Sequence, residues 1–139
     1  MFKRILAPVD LSETSAGAVD IACRLAAGNH GEIILLHVIE TIEHLEVDEM
    51  RSFYNKLEER ATAGLHRLAE RASQSGIQVQ VETVYGKRAR SIVEFAANRR
   101  VDLIVLNSHR VQPGQAGAGL ATISYEVAVL APCPVLLLK

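Results

Sequence analysis

Short apolar runs at residues 5–9, 33–39, 77–84, 103–106 and 135–138 alternate along the chain with segments in which apolar residues return every three or four positions. The runs have strand length, and the segments between them have the helical period. Val19, Ala22, Cys23 and Ala26 predict a first helix, with Ser12, Thr14 and Ser15 as capping candidates and Gly28 as the stop. Met50, Phe53, Leu57, Ala61, Gly64, Leu68 and Ala72 predict a long second helix that ends near Gly76, with Glu58, Glu59, Arg60 and Arg67 between its apolar positions. Ala89, Ile92, Val93 and Ala96 give a third helix, and Ile123, Val127, Leu130 and Ala131 a fourth, closed by Pro132.

Strands joined through helices run parallel, and right-handed crossovers then lead to a doubly wound α/β architecture, a five-stranded sheet with helices on both faces. Four of the runs are continuously apolar, as strands covered on both faces must be, whereas Ile77-Gln78-Val79-Gln80-Val81-Glu82 alternates and belongs at an edge with one wetter face. The last run, Val135-Leu136-Leu137-Leu138, has no later element to cover it. At the opposite edge it calls for a second subunit.

A length of 139 residues with 49% hydrophobic and 22% charged residues suits one core, so residues 1–139 are expected to form a single domain. A formal charge of −1 offers no field to gather polyanions, which argues against nucleic acid as a partner. No run approaches the roughly 20 apolar residues of a membrane span, and Met1 to Asp10 reads as a first strand rather than a signal peptide. Cys23 and Cys133 make no CxxC pair or disulfide framework, which suits a reducing cytoplasm.

In an open parallel sheet, ligands bind beyond the carboxyl ends of the strands. That rule selects Asp10-Leu11-Ser12, residues 38–40, Tyr85-Gly86-Lys87 and residues 107–122, and puts Asp102 at the wrong end, as a solvated cap. No GxGxxG or GxxxxGK[ST] follows a strand, and the clustered acids of a phosphoacceptor domain are missing. His37, inside an apolar run, reads as a hydrogen-bonded core histidine; His109 has no neighbouring base or nucleophile in sequence; both cysteines read as inert. The histidines and cysteines have no metal-ligand spacing, and Lys87-Arg88 and Arg99-Arg100 read as solvated helix surface.

Four fragments, in order, resemble one family from end to end: Ile5-Leu6-Ala7-Pro8-Val9-Asp10-Leu11-Ser12, Leu35-Leu36-His37-Val38, Asp102-Leu103-Ile104-Val105-Leu106 and Ala131-Pro132-Cys133-Pro134-Val135-Leu136. The chain resembles the universal stress proteins. That resemblance implies a Rossmann-like sheet of order 3-2-1-4-5 and homodimers paired through the C-terminal strand. It also implies ATP or another adenine nucleotide as ligand, with Mg accompanying it, an unidentified protein partner, and no catalytic role. Pro8, Val9, Asp10 and Val38 match positions around the base and ribose, and Leu106 belongs to the same implied nucleotide site.

Nucleotide-binding members carry a loop G-x2-G-x9-G-[ST] after the fourth strand, whose glycine amides and following helix N-terminus hold phosphates. Here Asn107 and Arg110 stand at the first two glycine positions, Ala121-Thr122 replaces the closing pair, and ten residues separate Arg110 from Ala121. The phosphates are then expected against Asn107, His109, Arg110, Ala121, Thr122 and Ile123, with Arg110 supplying the donors that the glycine amides no longer can. The leading expectation is a nucleotide-binding stress-response module, regulatory or protective. Its rivals are a dimeric interaction protein with a degraded phosphate loop, and a slow ATP hydrolase.

Overall fold

The computed structural model describes residues 1–43, 45–46, 48–108 and 122–139. The strands are β1 (Arg4–Pro8), β2 (Glu32–Glu40), β3 (Gln78–Gly86), β4 (Leu103–Asn107) and β5 (Val135–Leu138). The helices are α1 (Ser15–Gly28), α2 (Arg51–Ser73), α3 (Arg88–Asn98) and α4 (Ile123–Leu130), with a 3-10 turn at Asp48–Met50 before α2. All pairings are parallel and the sheet order is β3-β2-β1-β4-β5, which puts both expected edge strands at the edges.

The period-two alternation of the central strands sorts their side chains onto two cores. Ile5, Ala7, Ile33, Leu35, Leu103 and Val105 pack under α1 and α2. Leu6, Ile34, Leu36, Ile104 and Leu106 pack under α3 and α4. Because these strands are buried on both faces, they read as unbroken apolar runs; β3 does not, since Gln80 and Glu82 lie on the α3 side, where Glu82 pairs with Arg99. Asp102 caps the start of β1, its carboxylate accepting the backbone N–H groups of Lys3 (2.9 Å) and Arg4 (3.1 Å).

Two helix boundaries differ from the sequence expectation. Neither Ser12 nor Thr14 caps α1 through its side chain; their hydroxyls bond each other at 2.9 Å, and the entry turn is held by Asp10 instead. Gly28 is the last helical residue rather than the stop. The chain turns two residues later at His30, with φ of 54°, and α3 ends in the same way at Arg100, with φ of 53°. Only after α2 is the left-handed residue a glycine, Gly76.

A left-handed conformation costs an L-residue about 1–2 kcal/mol, partly offset for glycine by its greater freedom when unfolded. Arg100, which has no carboxylate partner among the described residues, is therefore a position where glycine should stabilise. Arg100→Gly is expected to raise the unfolding midpoint by about 2–4 °C in calorimetry. An unchanged or lowered midpoint would contradict this account of the α3 terminus.

Candidate functional site

The order β3-β2-β1-β4-β5 reverses direction between β1 and β4, so the carboxyl ends of those strands splay around a crevice. A cavity of about 100 Å³ lies there, lined by Pro8, Val9 and Asp10 from β1 and its exit, Leu36 and Val38 from β2, Leu106 and Asn107 from β4, and Ile123 at the start of α4. These include seven of the residues selected from sequence. Thr122 stands beside them as the N-cap of α4, its hydroxyl accepting the Tyr125 N–H at 3.3 Å. His109, Arg110 and Ala121 lie outside the described residues.

Asp10 organises the β1 exit. Its Oδ1 accepts the Ser12 N–H at 2.9 Å and the hydroxyl of the buried Ser15 at 3.0 Å. Burial works to raise the carboxyl's pKa, but the Ser12 and Ser15 hydrogen bonds and the charge of Arg88 outweigh it and hold Asp10 below the usual carboxylate range. The next residue, Leu11, adopts a φ of 67°, a left-handed conformation that a branched side chain takes only when its surroundings impose it. Leu11 fits a recess at Gly64 of α2, where an added Cβ would stand 3.0 Å from a Leu11 methyl.

Opposite Asp10, the Asn107 side-chain amide donates to the Thr14 carbonyl at 2.7 Å, tying the end of β4 to the start of α1. Hydroxyls of Ser108, Ser124 and Thr122 form a chain with spacings of 3.0 and 3.1 Å, joining the end of β4 to the first turn of α4. His37 is half-buried rather than a core residue. Its Nδ1 lies 2.8 Å from the Val9 carbonyl, which can only accept, so Nδ1 carries the proton. Burial pushes the Cys23 and Cys133 thiols up, as unreactive thiols require.

Arg88 corrects the sequence expectation. Instead of a solvated helix surface, the first residue of α3 is half-buried, lines the cavity and stands 3.8 Å from a Glu40 oxygen. Selection of residues after β3 stopped at Lys87, one position short; the signal was the strand-end rule itself, carried into the first turn of the following helix. Leu36, Ile92 and Ser124 also line the cavity without having been selected. Among the described residues no group of three His, Cys, Asp or Glu side chains could hold a metal ion, and no helix is long and apolar enough to cross a membrane.

A crevice of this composition at the switch point of a five-stranded parallel sheet defines a doubly wound α/β protein with a candidate ligand site at the carboxyl ends of its strands. The chain belongs to the universal stress protein family, whose profile matches residues 1–139. It is 32% identical to the universal stress protein YxiE of Bacillus subtilis, with each chain covered in full. It superposes on the structure of MJ0577 of Methanocaldococcus jannaschii with a TM-score of 0.84, 31% identity, and coverage of 100% of this chain and 96% of that one. A universal stress protein in complex with cAMP gives a TM-score of 0.79 at 22% identity, covering 99% of this chain and 97% of that one.

Proposed function

We propose that this protein is a homodimeric, adenine-nucleotide-binding stress-response module, regulatory or protective, that forms one domain and acts without catalysis. The observation that carries the reading is the convergence of Pro8, Val9, Asp10, Val38, Leu106, Asn107 and Ile123 on one crevice at the sheet's switch point. An apolar slot between Val38, Leu106 and Ile123 suits a planar base. The Asp10 carboxylate, which can only accept, suits an amino group or ribose hydroxyl. The cAMP complex of a family member supports an adenine nucleotide as the ligand class.

Phosphates would lie toward Thr122 and Ile123 at the N-terminus of α4, with His109, Arg110 and Ala121 completing the site and any magnesium riding on the phosphates. A signal would follow from binding through a change in the surface that residues 107–122 present to another protein. The second reading, a dimeric interaction protein without nucleotide, is favoured by one observation: the Asn107 amide is already engaged by Thr14.

Calorimetric titration with adenosine, AMP and ATP separates the two. Measurable adenosine binding at one site per chain is expected, and its absence for all three ligands would leave the interaction protein. Arg110→Ala is expected to weaken ATP about tenfold and AMP less, since a charge-assisted phosphate contact is removed. Stronger ATP binding in Arg110→Gly would instead identify the arginine as an obstruction.

A further inference from the structure

Beside the nucleotide crevice, and sharing Asp10, Val38 and Arg88 with it, runs a wider groove of about 660 Å³ between α2 and the carboxyl end of β2. The volume falls within the range of small-molecule sites, roughly 300–1,000 Å³. Leu57, Arg60, Ala61, Gly64 and Arg67 recur at helical spacing, so one face of α2 forms a wall. Gly64 and Ala61, both buried, let that wall sit close to Leu11, and the two arginines stand on either side of the low point, about 10 Å apart along the axis. Arg88 completes the lining from the start of α3.

Arg60 and Arg67 are placed differently from the ion-paired arginines of the chain, Arg88 among them. Arg4, Arg51, Arg71, Arg90 and Arg99 each hold a carboxylate within ion-pair distance. Arg60 and Arg67 hold none among the described residues, and residues 44, 47 and 109–121 include no Asp or Glu that could supply one. Three guanidinium groups thus line a groove whose only acids are Asp10 and Glu40. Asp10 has one oxygen engaged by Ser12 and Ser15, and Glu40 is drawn toward Arg88.

We propose that this groove is a second ligand site, for an organic phosphate bearing more than one negative charge. Guanidinium forks pair with phosphate oxygens through two hydrogen bonds at once, and arginines spread along a groove match charge spread along a ligand. Leu11, Val38, Ile39 and Leu57 supply apolar surface for the ligand's body. The site does not depend on nucleotide occupying the neighbouring crevice.

Inorganic pyrophosphate is the probe, titrated at low ionic strength and followed by backbone amide shifts in the full chain. Shifts at residues 37–40 and 60–67 are expected. The exposed pair Arg60→Gln and Arg67→Gln, combined, should weaken pyrophosphate tenfold or more and leave adenosine affinity unchanged. The proposal fails if pyrophosphate does not bind, if the double variant binds it as well as the parent, or if the shifts centre on residues 107–108 and 122–124. Pyrophosphate binding without adenosine binding would leave the groove standing and remove the nucleotide reading; adenosine binding without pyrophosphate would do the reverse.

Discussion

Leu136→Asp is expected to abolish the proposed dimer and leave a folded monomer at micromolar concentration. Leu136, on the terminal edge strand β5 and on the opposite face from Val135 and Leu137, is 37% exposed, and α4 also carries exposed apolar residues, Val129 at 63% and Leu130 at 61%. Its neighbours Val135 and Leu137 pack into the core under α3 and α4. Deleting the strand would therefore strip the core as well as the edge, and a point change separates the two effects. Two-fold symmetry places each substitution in the interface twice. Losing burial of two leucines at about 1.5 kcal/mol each, with two carboxylates then facing one another, should weaken association about a hundredfold or more. Sedimentation velocity reads the mass and circular dichroism the fold. A dimer persisting with the same dissociation midpoint would show that β5 is not where the subunits meet.

Asp10→Ala should weaken adenosine and ATP alike, by about 10- to 100-fold, because in the proposed site the carboxylate would serve the base side of the ligand and not its phosphates. The alanine also removes the acceptor for the buried Ser15 hydroxyl, a stability loss of about 1–2 kcal/mol. Asp10→Asn separates these effects, since an amide oxygen can still accept from Ser12 and Ser15 while the negative charge is gone. The pH dependence has a definite sign. Asp10 is held below its ordinary value of 3.8, so its carboxylate contributes fully at neutral pH, and that contribution is lost only as pH falls through the lowered value. Adenosine affinity should accordingly be flat in Asp10's titration between pH 5 and 8. Weakening of ATP with adenosine untouched in Asp10→Ala would place the residue on the phosphate side.

The sheet was legible because burial on both faces leaves no polar side chains in β1, β2 and β4 except at their ends and at His37, and the same logic put Gln80 and Glu82 on an edge strand. His37 was also legible as a hydrogen-bonded histidine, though not its partner, since the Val9 carbonyl comes from the exit of β1, 28 residues away in sequence. Arg88 was missed for a related reason. An arginine beside a lysine has the local composition of a solvated surface, and only the packing of α3 against β2 and β3 turns one of the pair inward. The α2 groove was equally hidden. Arg60 and Arg67 read as the charged flank of an amphipathic helix, and nothing in their own segment reveals that Gly64 lets that flank approach Leu11. Helix ends were blurred where a left-handed turn fell on His30 or Arg100 instead of on glycine.

The bond from the Asn107 amide to the Thr14 carbonyl also constrains how such a site can change over generations. Glycine at position 107 would supply a backbone that phosphate oxygens can approach, yet the same step would release the start of α1 from the end of β4, loosening the wall that Asp10 organises. The intermediate would lose positioning before it gained affinity. Substitutions at positions 110 and 121 disturb no such tie from Asn107. A lineage, or a laboratory, moving this chain toward a glycine-bearing phosphate loop would find the easier path by changing those positions first and Asn107 last.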